Sequence, residues 1–286
     1  MSDMNLPAAS APEHDSERRF GGLRRLYGER DYRRLRGARF AVVGVGGVGS
    51  WAVEALARSG VAELVLIDLD QVAESNINRQ IQALGSTLGM AKIDALRERI
   101  RDIHPDCRVH GIEEFVEPGN WPGLLQGRAI DGLIDACDQV RAKAALAAWA
   151  RQTGHCFVTV GAAGGKRASH LLEVQDLALT THDPLLASLR QRLRKEHGLA
   201  RQGKMGVRCV FSREAVQRPE AACSVDAQGS GQGGGQGSGP VDGSLNCAGY
   251  GSSVMVTAAF GMSAAAELVK EFLQTACADQ KTASII

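Results

Sequence analysis

One stretch, residues 39–80, constrains the fold of this 286-residue chain more than any other. It reads as an apolar run, a glycine turn, a helical pattern and a second apolar run. Strand, turn, helix and strand in that order form the first unit of a doubly wound, Rossmann-like α/β sheet. The turn is Gly44-x-Gly46-Gly47-x-Gly49, whose glycines let backbone N–H groups approach phosphates, while the helix N-terminus favours their charge. The stretch therefore predicts a nucleotide site.

Two features of this stretch indicate which nucleotide it binds. Its acidic pair, Asp68 and Asp70, ends the second strand where a ribose would lie, as in dinucleotide-dependent oxidoreductases. Asn76-x-x-Arg79-Gln80 then follows, and a nicotinamide cofactor offers no terminal triphosphate for such an arginine to neutralise. An enzyme that cleaves ATP between its α and β phosphates does need this charge. The pattern favours ATP over NAD, and the alternative for Arg79 is a solvated surface residue.

Two further charged residues are candidates for the same site. Lys92 lies in a helical pattern over residues 89–103, where a lone exposed lysine is the alternative. Asp138 follows a predicted strand over residues 129–136, at the sheet edge where α/β proteins bind ligands. Its carboxylate suits a Mg²⁺ ion that bridges phosphates, and it also suits the N-cap of a helix over residues 140–151. The two roles of Asp138 are compatible.

Together these motifs resemble the superfamily of ubiquitin-activating enzymes and their bacterial relatives, the ThiF-MoeB-HesA adenylyltransferases. Within it, residues 19–28, 180–198 and 246–261 make the chain most similar to the tRNA threonylcarbamoyladenosine dehydratases. The resemblance covers nearly all of the chain beyond the first 17 residues and one glycine-rich insert. It implies an ATP-dependent ligase that adenylates the threonyl carboxylate of threonylcarbamoyladenosine beside the anticodon. The carbamoyl group then closes a ring, and AMP and pyrophosphate are released.

The resemblance also implies roles for single residues. Arg79, Lys92 and Asp138 are expected to be catalytic, with Asp138 as the Mg²⁺ ligand, because they would stabilise charge that develops on phosphate. In relatives, a basic N-terminal arm sends an arginine into the ATP site of a partner subunit. Here Gly22 stands at that position, so Arg24 or Arg25 would be the substitute. The residues expected to bind ATP are Gly44, Gly46, Gly47, Gly49, Asp68, Asp70, Asn76, Arg79, Gln80 and Lys92.

Cysteine usage bears on the alternatives within the superfamily. The seven cysteines contain no C-x-x-C pair, so we expect neither zinc nor a disulfide framework, and we predict a reducing cytoplasm. The main alternative, an adenylyltransferase for a ubiquitin-like sulfur carrier, commonly has a four-cysteine zinc site. A non-catalytic tRNA-binding scaffold is opposed by the intact charged residues. Cys247 is a candidate nucleophile for thioester transfer, although a small buried residue is the favoured alternative.

The chain divides into four predicted parts. Residues 1–17 are expected to be a disordered tail, and 18–38 a basic helical arm. Residues 39–168 form the Rossmann-like ATP region. Residues 169–286 continue the mostly parallel sheet with antiparallel strands and a C-terminal helix, and include a flexible glycine-rich loop at 227–243. The uncharged residues 244–266 are dominated by small side chains, which favours a buried helix at a subunit or domain contact over a membrane span.

Partners cannot be inferred from the net charge of +1, so local clusters of cations must indicate them. A predicted helix that starts at Pro184 places leucines on one face and cations around the rest. The resemblance implies tRNA carrying threonylcarbamoyladenosine as the partner, together with a homodimer, and leaves room for a cysteine-desulfurase sulfur-relay partner. A solvated helix face is the alternative. The residues proposed to contact tRNA are Lys166, Arg167, Arg190, Arg194 and Lys195.

Overall fold

The computed structural model describes residues 15–217 and 250–283, which include a seven-stranded sheet in the order β3-β2-β1-β4-β5-β7-β6. Six strands are parallel, and β6 pairs antiparallel with β7 at one end. This confirms a doubly wound, mostly parallel sheet that ends in an antiparallel pair. The strands are β1 Arg39–Val43, β2 Glu63–Ile67, β3 Arg108–Ile112, β4 Gly132–Asp135, β5 Cys156–Val160, β6 Leu172–Asp176 and β7 Arg208–Ser212.

Six α-helices of the described chain cover the two faces of the sheet. Alternation along β1 sets the two cores apart: Phe40 and Val42 pack with α2, α3 and α6, while Ala41 and Val43 pack with α4 and α5. The helices are α1 Ser16–Arg36, α2 Gly49–Arg58, α3 Lys92–Ile103, α4 Val140–Thr153, α5 Pro184–Glu196 and α6 Val254–Ala283. Strands covered on both faces are mostly apolar, which explains the apolar runs that marked β1 and β2 in the sequence.

The helix α6 contains residues 254–266 of the uncharged stretch. Val256, Phe260 and Ala264 are fully buried in the core that α6 shares with α2. Gly261 lets the two helices approach, since a Cβ atom there would lie 2.4 Å from the Val48 carbonyl oxygen. Over residues 15–217 and 250–283, no helix is long and apolar enough to cross a membrane.

The arm helix α1 begins at Ser16, where the Asp15 carboxylate caps it by accepting the Glu17 and Arg18 N–H groups. It kinks at Gly28, whose φ of 79° lies in the left-handed region that glycine adopts without strain. Of the tail predicted over residues 1–17, Ser16 and Glu17 belong instead to α1, and residues 1–14 lie outside the described residues. The glycine-rich loop at 227–243 and Cys247 also lie outside them.

Candidate functional site

A cleft of about 270 Å³ opens at the carboxyl ends of β1 and β4. β1 and β4 are neighbours in the sheet, but the connections that follow them run towards opposite edges of the sheet. Doubly wound proteins bind their ligands at such a switch point. The glycine turn forms its floor. The charged and amide residues that line it are Asp68, Asp70, Asn76, Arg79, Gln80, Lys92, Glu114, Asp138 and Gln139.

Two glycines of the turn are required by its close packing on the rest of the chain. Gly44 has a φ of 79°, and a Cβ there would lie 2.9 Å from the Cys137 backbone nitrogen. A Cβ on Gly49 would lie 1.8 Å from the Gly44 carbonyl oxygen. Gly46 and Gly47 line the cleft beside Gln80 and Arg79, where small residues leave room for a ligand.

Asp68 fixes the shape of the turn. Its Oδ2 accepts the Val45 N–H at 2.7 Å, and its Oδ1 accepts the Asp70 N–H at 2.9 Å. Burial raises the pKa of this carboxyl, although Lys92 and the two backbone donors oppose the rise. Each oxygen keeps a second lone pair, so a ribose hydroxyl could still bind there. Holding the turn is a role of Asp68 that sequence reasoning did not identify.

Lys92 and Asp70 form an ion pair at the edge of the cleft, with Nζ 2.6 Å from Oδ2. The lysine is only 5% exposed, whereas the Asp70 side chain is 56% exposed. Lys92 begins α3 as expected, and it is not a lone exposed lysine. The buried Lys92 side chain lines the cleft beside this exposed carboxylate.

Arg79 is held at its backbone rather than by a carboxylate. The Trp51 indole N–H and the Thr257 hydroxyl both donate to its carbonyl oxygen, at 3.0 and 3.2 Å. Its guanidinium donates to Asn78 Oδ1 and Ser75 O, and burial lowers its pKa. Among the described residues no carboxylate pairs with this cation, so its charge is available to an anionic ligand in the cleft.

Asn76 and Gln80 line the same cleft and also hold the loop that carries Arg79. Asn76 is 8% exposed, and its Oδ1 accepts the Ala73 N–H at 3.1 Å. Gln80 is 6% exposed, and its Oε1 accepts from Gln82 Nε2 at 3.0 Å. Both side chains therefore position this loop, whether or not they touch a ligand.

A fully buried polar cluster lies beneath Asp138. Lys143 Nζ lies 3.1 Å from Asp135 Oδ2 and 3.0 Å from Thr159 Oγ1, and the threonine hydroxyl donates to the same Asp135 oxygen at 2.7 Å. Burial alone would lower the pKa of Lys143, but the Asp135 carboxylate outweighs it and the pKa is raised. Asp135 Oδ1 accepts the Cys137 N–H, which shapes the turn that carries Asp138.

The far wall of the cleft is the loop Gly161–Gly164, which follows β5. Asp183 joins this loop to α5: its Oδ2 accepts the Ala162 N–H at 2.8 Å, and its Oδ1 caps the helix through the Leu186 N–H at 3.0 Å. A Cβ on Gly161 would lie 2.1 Å from Asp183 Oδ2. The helix and the cleft wall therefore share one buried carboxylate, whose pKa burial raises.

The structure separates the five residues proposed to contact tRNA. Lys166 is 2% exposed, with Nζ donating to the Ser212 and Glu214 carbonyls at 3.3 and 2.8 Å, so it supports the loop from inside instead of presenting a surface charge. Burial lowers its pKa. Arg167 and Lys195 are exposed, whereas Arg190 and Arg194 are half-buried.

Comparison with known proteins identifies the chain's relatives. A model of the ThiF family matches residues 20–284. The chain belongs to the ThiF family. It is 43% identical to the tRNA threonylcarbamoyladenosine dehydratase of Escherichia coli and 39% identical to that of Haemophilus influenzae, each over 90% of this chain and 94% of the relative.

Solved structures of the E. coli dehydratase have the same fold as this chain. The structure in complex with ATP matches with a TM-score of 0.78 and 41% identity, over 91% of this chain and 96% of the other. The structure in complex with AMP matches with a TM-score of 0.79 and 40% identity, over 94% and 99%.

Proposed function

We propose that this ThiF-family chain is a tRNA threonylcarbamoyladenosine dehydratase that consumes ATP. One observation carries the proposal: this chain, which is 43% identical to the E. coli dehydratase, places Arg79, Lys92 and Asp138 around one glycine-floored cleft at the switch point of its sheet. A scaffold without activity would have no need for three such charges in one cleft. A dinucleotide enzyme would have no use for Arg79.

The proposed reaction has two steps. A threonyl carboxylate oxygen attacks the α-phosphorus of ATP, the bond to the β-phosphate oxygen breaks, and pyrophosphate leaves. The carbamoyl group of the same side chain then attacks the activated carbonyl carbon, loses one proton, and expels AMP. The oxygen removed from the carboxylate leaves on AMP, so one water is formally lost. Activation is needed because a free carboxylate is a poor electrophile, and ring closure benefits from proximity.

The charged residues of the cleft would act on phosphate. The glycine turn and the N-terminus of α2 would hold the triphosphate, with Asp68 at the ribose. Arg79 and Lys92 would stabilise the charge that develops as pyrophosphate departs. Asp70 would orient the Lys92 ammonium through their ion pair of 2.6 Å.

Asp138 would be the protein ligand of Mg²⁺, which would neutralise phosphate charge when bound. Within residues 15–217 and 250–283, no group of three or more His, Cys, Asp or Glu side chains could hold a metal. A Mg²⁺ ion needs no such group here, because one or two carboxylates with phosphate oxygens and waters satisfy its preference. The donor set of the cleft therefore fits this ion.

A homodimer is part of the proposal, supported by exposed apolar side chains on the arm and on α6. Leu26 is 71% exposed and Met255 is 66% exposed. Arg24 pairs with Glu17 and Glu29 at 2.6 and 2.8 Å, so it is committed within its own arm. Arg25 is exposed and makes no ion pair with a described residue, which makes it the better candidate for a partner's site. Sedimentation analysis tests the dimer.

Mass spectrometry of tRNA nucleosides tests the function. Purified protein incubated with ATP, Mg²⁺ and tRNA carrying threonylcarbamoyladenosine should convert that nucleoside to a product lighter by one water. Omission of ATP, or its replacement by NAD, should give no product. Unchanged nucleoside in the complete reaction, with the protein folded, would refute the proposal.

The sulfur-carrier adenylyltransferase remains the alternative that a direct measurement can exclude. A Drosophila willistoni adenylyltransferase and sulfurtransferase, MOCS3, is 35% identical, but over only 40% of this chain and 24% of the relative. We expect elemental analysis to find no stoichiometric zinc, since no C-x-x-C pair occurs in the sequence. About one zinc per chain would favour the alternative. A sulfur-relay partner and the cytoplasmic location stay predictions.

A further inference from the structure

A surface groove runs along the exposed side of α5. One face of the helix presents Ala187, Arg190, Gln191, Arg194 and Lys195, at the spacing of three and four residues that places side chains in one row. Arg201, from the segment after the helix, forms the opposite side. We call this the α5 groove. Of the six described residues that line it, four carry a positive charge and none carries a negative one.

The two arginines of the helix are fixed in place without being neutralised. Arg190 donates to the Thr180 carbonyl at 2.9 Å and to its hydroxyl at 3.0 Å. Arg194 donates to the Ala200 and Arg201 carbonyls at 3.3 and 3.2 Å. A carbonyl orders a guanidinium but leaves its full charge, whereas a carboxylate would cancel it. Arg192 is the contrast on the same helix, since it pairs with Glu196 and lies outside the groove.

A second depression extends the α5 groove towards the start of α5, where Leu185 lines the catalytic cleft. It shares Ala187 and Arg190 with the groove, and it continues over Thr181, His182 and Val216. Among the described residues that line it, Asp183 is the one carboxylate; it is 5% exposed and accepts backbone N–H groups with both oxygens.

The distance along the helix suits a nucleic-acid strand. Leu185 lines the catalytic cleft, and Arg190 and Lys195 follow it by five and ten residues. At 1.5 Å per residue, these cations lie about 7.5 and 15 Å from the cleft along the helix axis. A strand whose reacting nucleotide sits in the cleft would carry its neighbouring phosphates over this row within a few nucleotides.

We propose that the α5 groove binds consecutive backbone phosphates of the tRNA strand that delivers its modified nucleotide to the cleft. The proposal rests on the proposed function for the identity of the RNA. Compared with the five residues expected from the sequence to contact tRNA, it adds Arg201 and leaves out Lys166. The groove contributes affinity that does not depend on sequence, because its cations meet phosphates and not base edges. Arg190 and Arg194 arrive already ordered, so little side-chain entropy is lost when they bind.

Filter binding of full-length tRNA carrying threonylcarbamoyladenosine, from 50 to 300 mM KCl, tests the groove. The variant Lys195→Gln/Arg201→Gln removes two exposed charges whose side chains hold no described part of the fold. Each lost contact to a single strand should lower the salt dependence of log K by about 0.7, so two should lower it by about 1.4. The same relation gives roughly a 25-fold weaker Kd at 0.1 M salt.

The matched control is Arg101→Gln/Arg192→Gln, which removes two charges outside the groove. We expect its affinity to stay within about twofold of wild type and its salt dependence to be unchanged. Melting temperatures without ligand verify that both variants fold. Wild-type binding by the groove variant, or equal weakening of both variants, would overturn the groove.

The controls on wild type separate this inference from the proposed function. If wild-type protein cyclises the modified nucleoside and the groove variant still binds tRNA normally, the proposed role of the groove is refuted and the proposed function is not. If wild-type protein binds tRNA but does not cyclise the modified nucleoside, the proposed function is refuted. The difference in tRNA affinity between the groove variant and its control would still test the groove. Failure of wild type to bind tRNA would refute both.

Discussion

Lys143→Met should reveal how strongly the buried cluster beneath Asp138 supports the cleft. The lysine and Asp135 are both 0% exposed, and Lys143 Nζ donates to Asp135 and Thr159 at 3.1 and 3.0 Å. Methionine occupies a similar volume, so packing is largely kept and the change removes the charge. What remains is a buried carboxylate without its cation.

Removing one partner of a buried ion pair typically costs 3–5 kcal/mol, because the other charge stays desolvated. For a chain of this size, each kcal/mol lowers Tm by about 2–4 °C, so Lys143→Met should lower Tm by roughly 6–20 °C. The double variant Asp135→Asn/Lys143→Met removes both charges and keeps an oxygen for the Cys137 N–H. It should recover at least half of that loss.

Thermal melts of the full chain without ligand measure this, with Lys204→Met as the matched control, since Lys204 is exposed and its side chain forms no ion pair with a described residue. The control should change stability by less than about 0.5 kcal/mol. The reasoning fails if Lys143→Met melts within about 2 °C of wild type, or if the double variant melts as low as the single one. The first result would show that water reaches the pair, and the second that packing, not charge, accounts for the loss.

Three further outcomes follow from the site and the core. Arg79→Ala and Asp138→Ala should each slow cyclisation by roughly a hundredfold, on the order of 3 kcal/mol, with tRNA affinity nearly intact; normal rates would remove these residues from the mechanism. ATP with Mg²⁺ at about 100 times its Kd should stabilise the protein by about 2.7 kcal/mol in a thermal-shift assay, and equal protection by NAD would contradict the ATP site. Burial and the Arg36 cation lower the pKa of His104 below its usual 6.5, so the unfolded chain binds the additional proton and stability should rise with pH up to about 6.5 and then level. His104→Gln should flatten that rise between pH 5.5 and 7, and an unchanged slope would assign the pH dependence to other groups.

The first half of the fold could be predicted because local and long-range requirements coincide there. β1 is buried on both faces and requires apolar residues from Phe40 to Val43, and the turn after it requires a glycine where it approaches Cys137. Each requirement leaves a residue type in the sequence at fixed spacing. Lys92, the first residue of α3, and Asp138, two residues before α4, could be predicted to line the cleft for the same reason, since each follows a strand or loop of the site.

Side-chain pairs that join two different elements left no such signal. The contact between Lys143 and Asp135 joins a helix to a strand end eight residues earlier, and the sequence shows only a lysine among alanines. For Lys166 the signal in the sequence was wrong. Two adjacent cations after a glycine loop suggest a basic surface, but the Lys166 side chain is buried and donates to carbonyl oxygens at the end of β7 and just after it. Charge can be counted from a sequence, but its exposure depends on which element packs over it.

The position of Asp183 shows why the site and the surface near it should be considered together. Because one carboxylate caps α5 and also accepts a cleft-wall N–H, the helix cannot rotate or slide without breaking a buried hydrogen bond, which costs about 1–3 kcal/mol. The row of cations that begins at Arg190 is therefore held at a fixed distance from the cleft. If that row binds phosphates, the distance sets which nucleotide of a bound strand reaches Arg79 and Lys92. A rigid connection of this kind would select the reacting position by geometry, without any base being read outside the cleft.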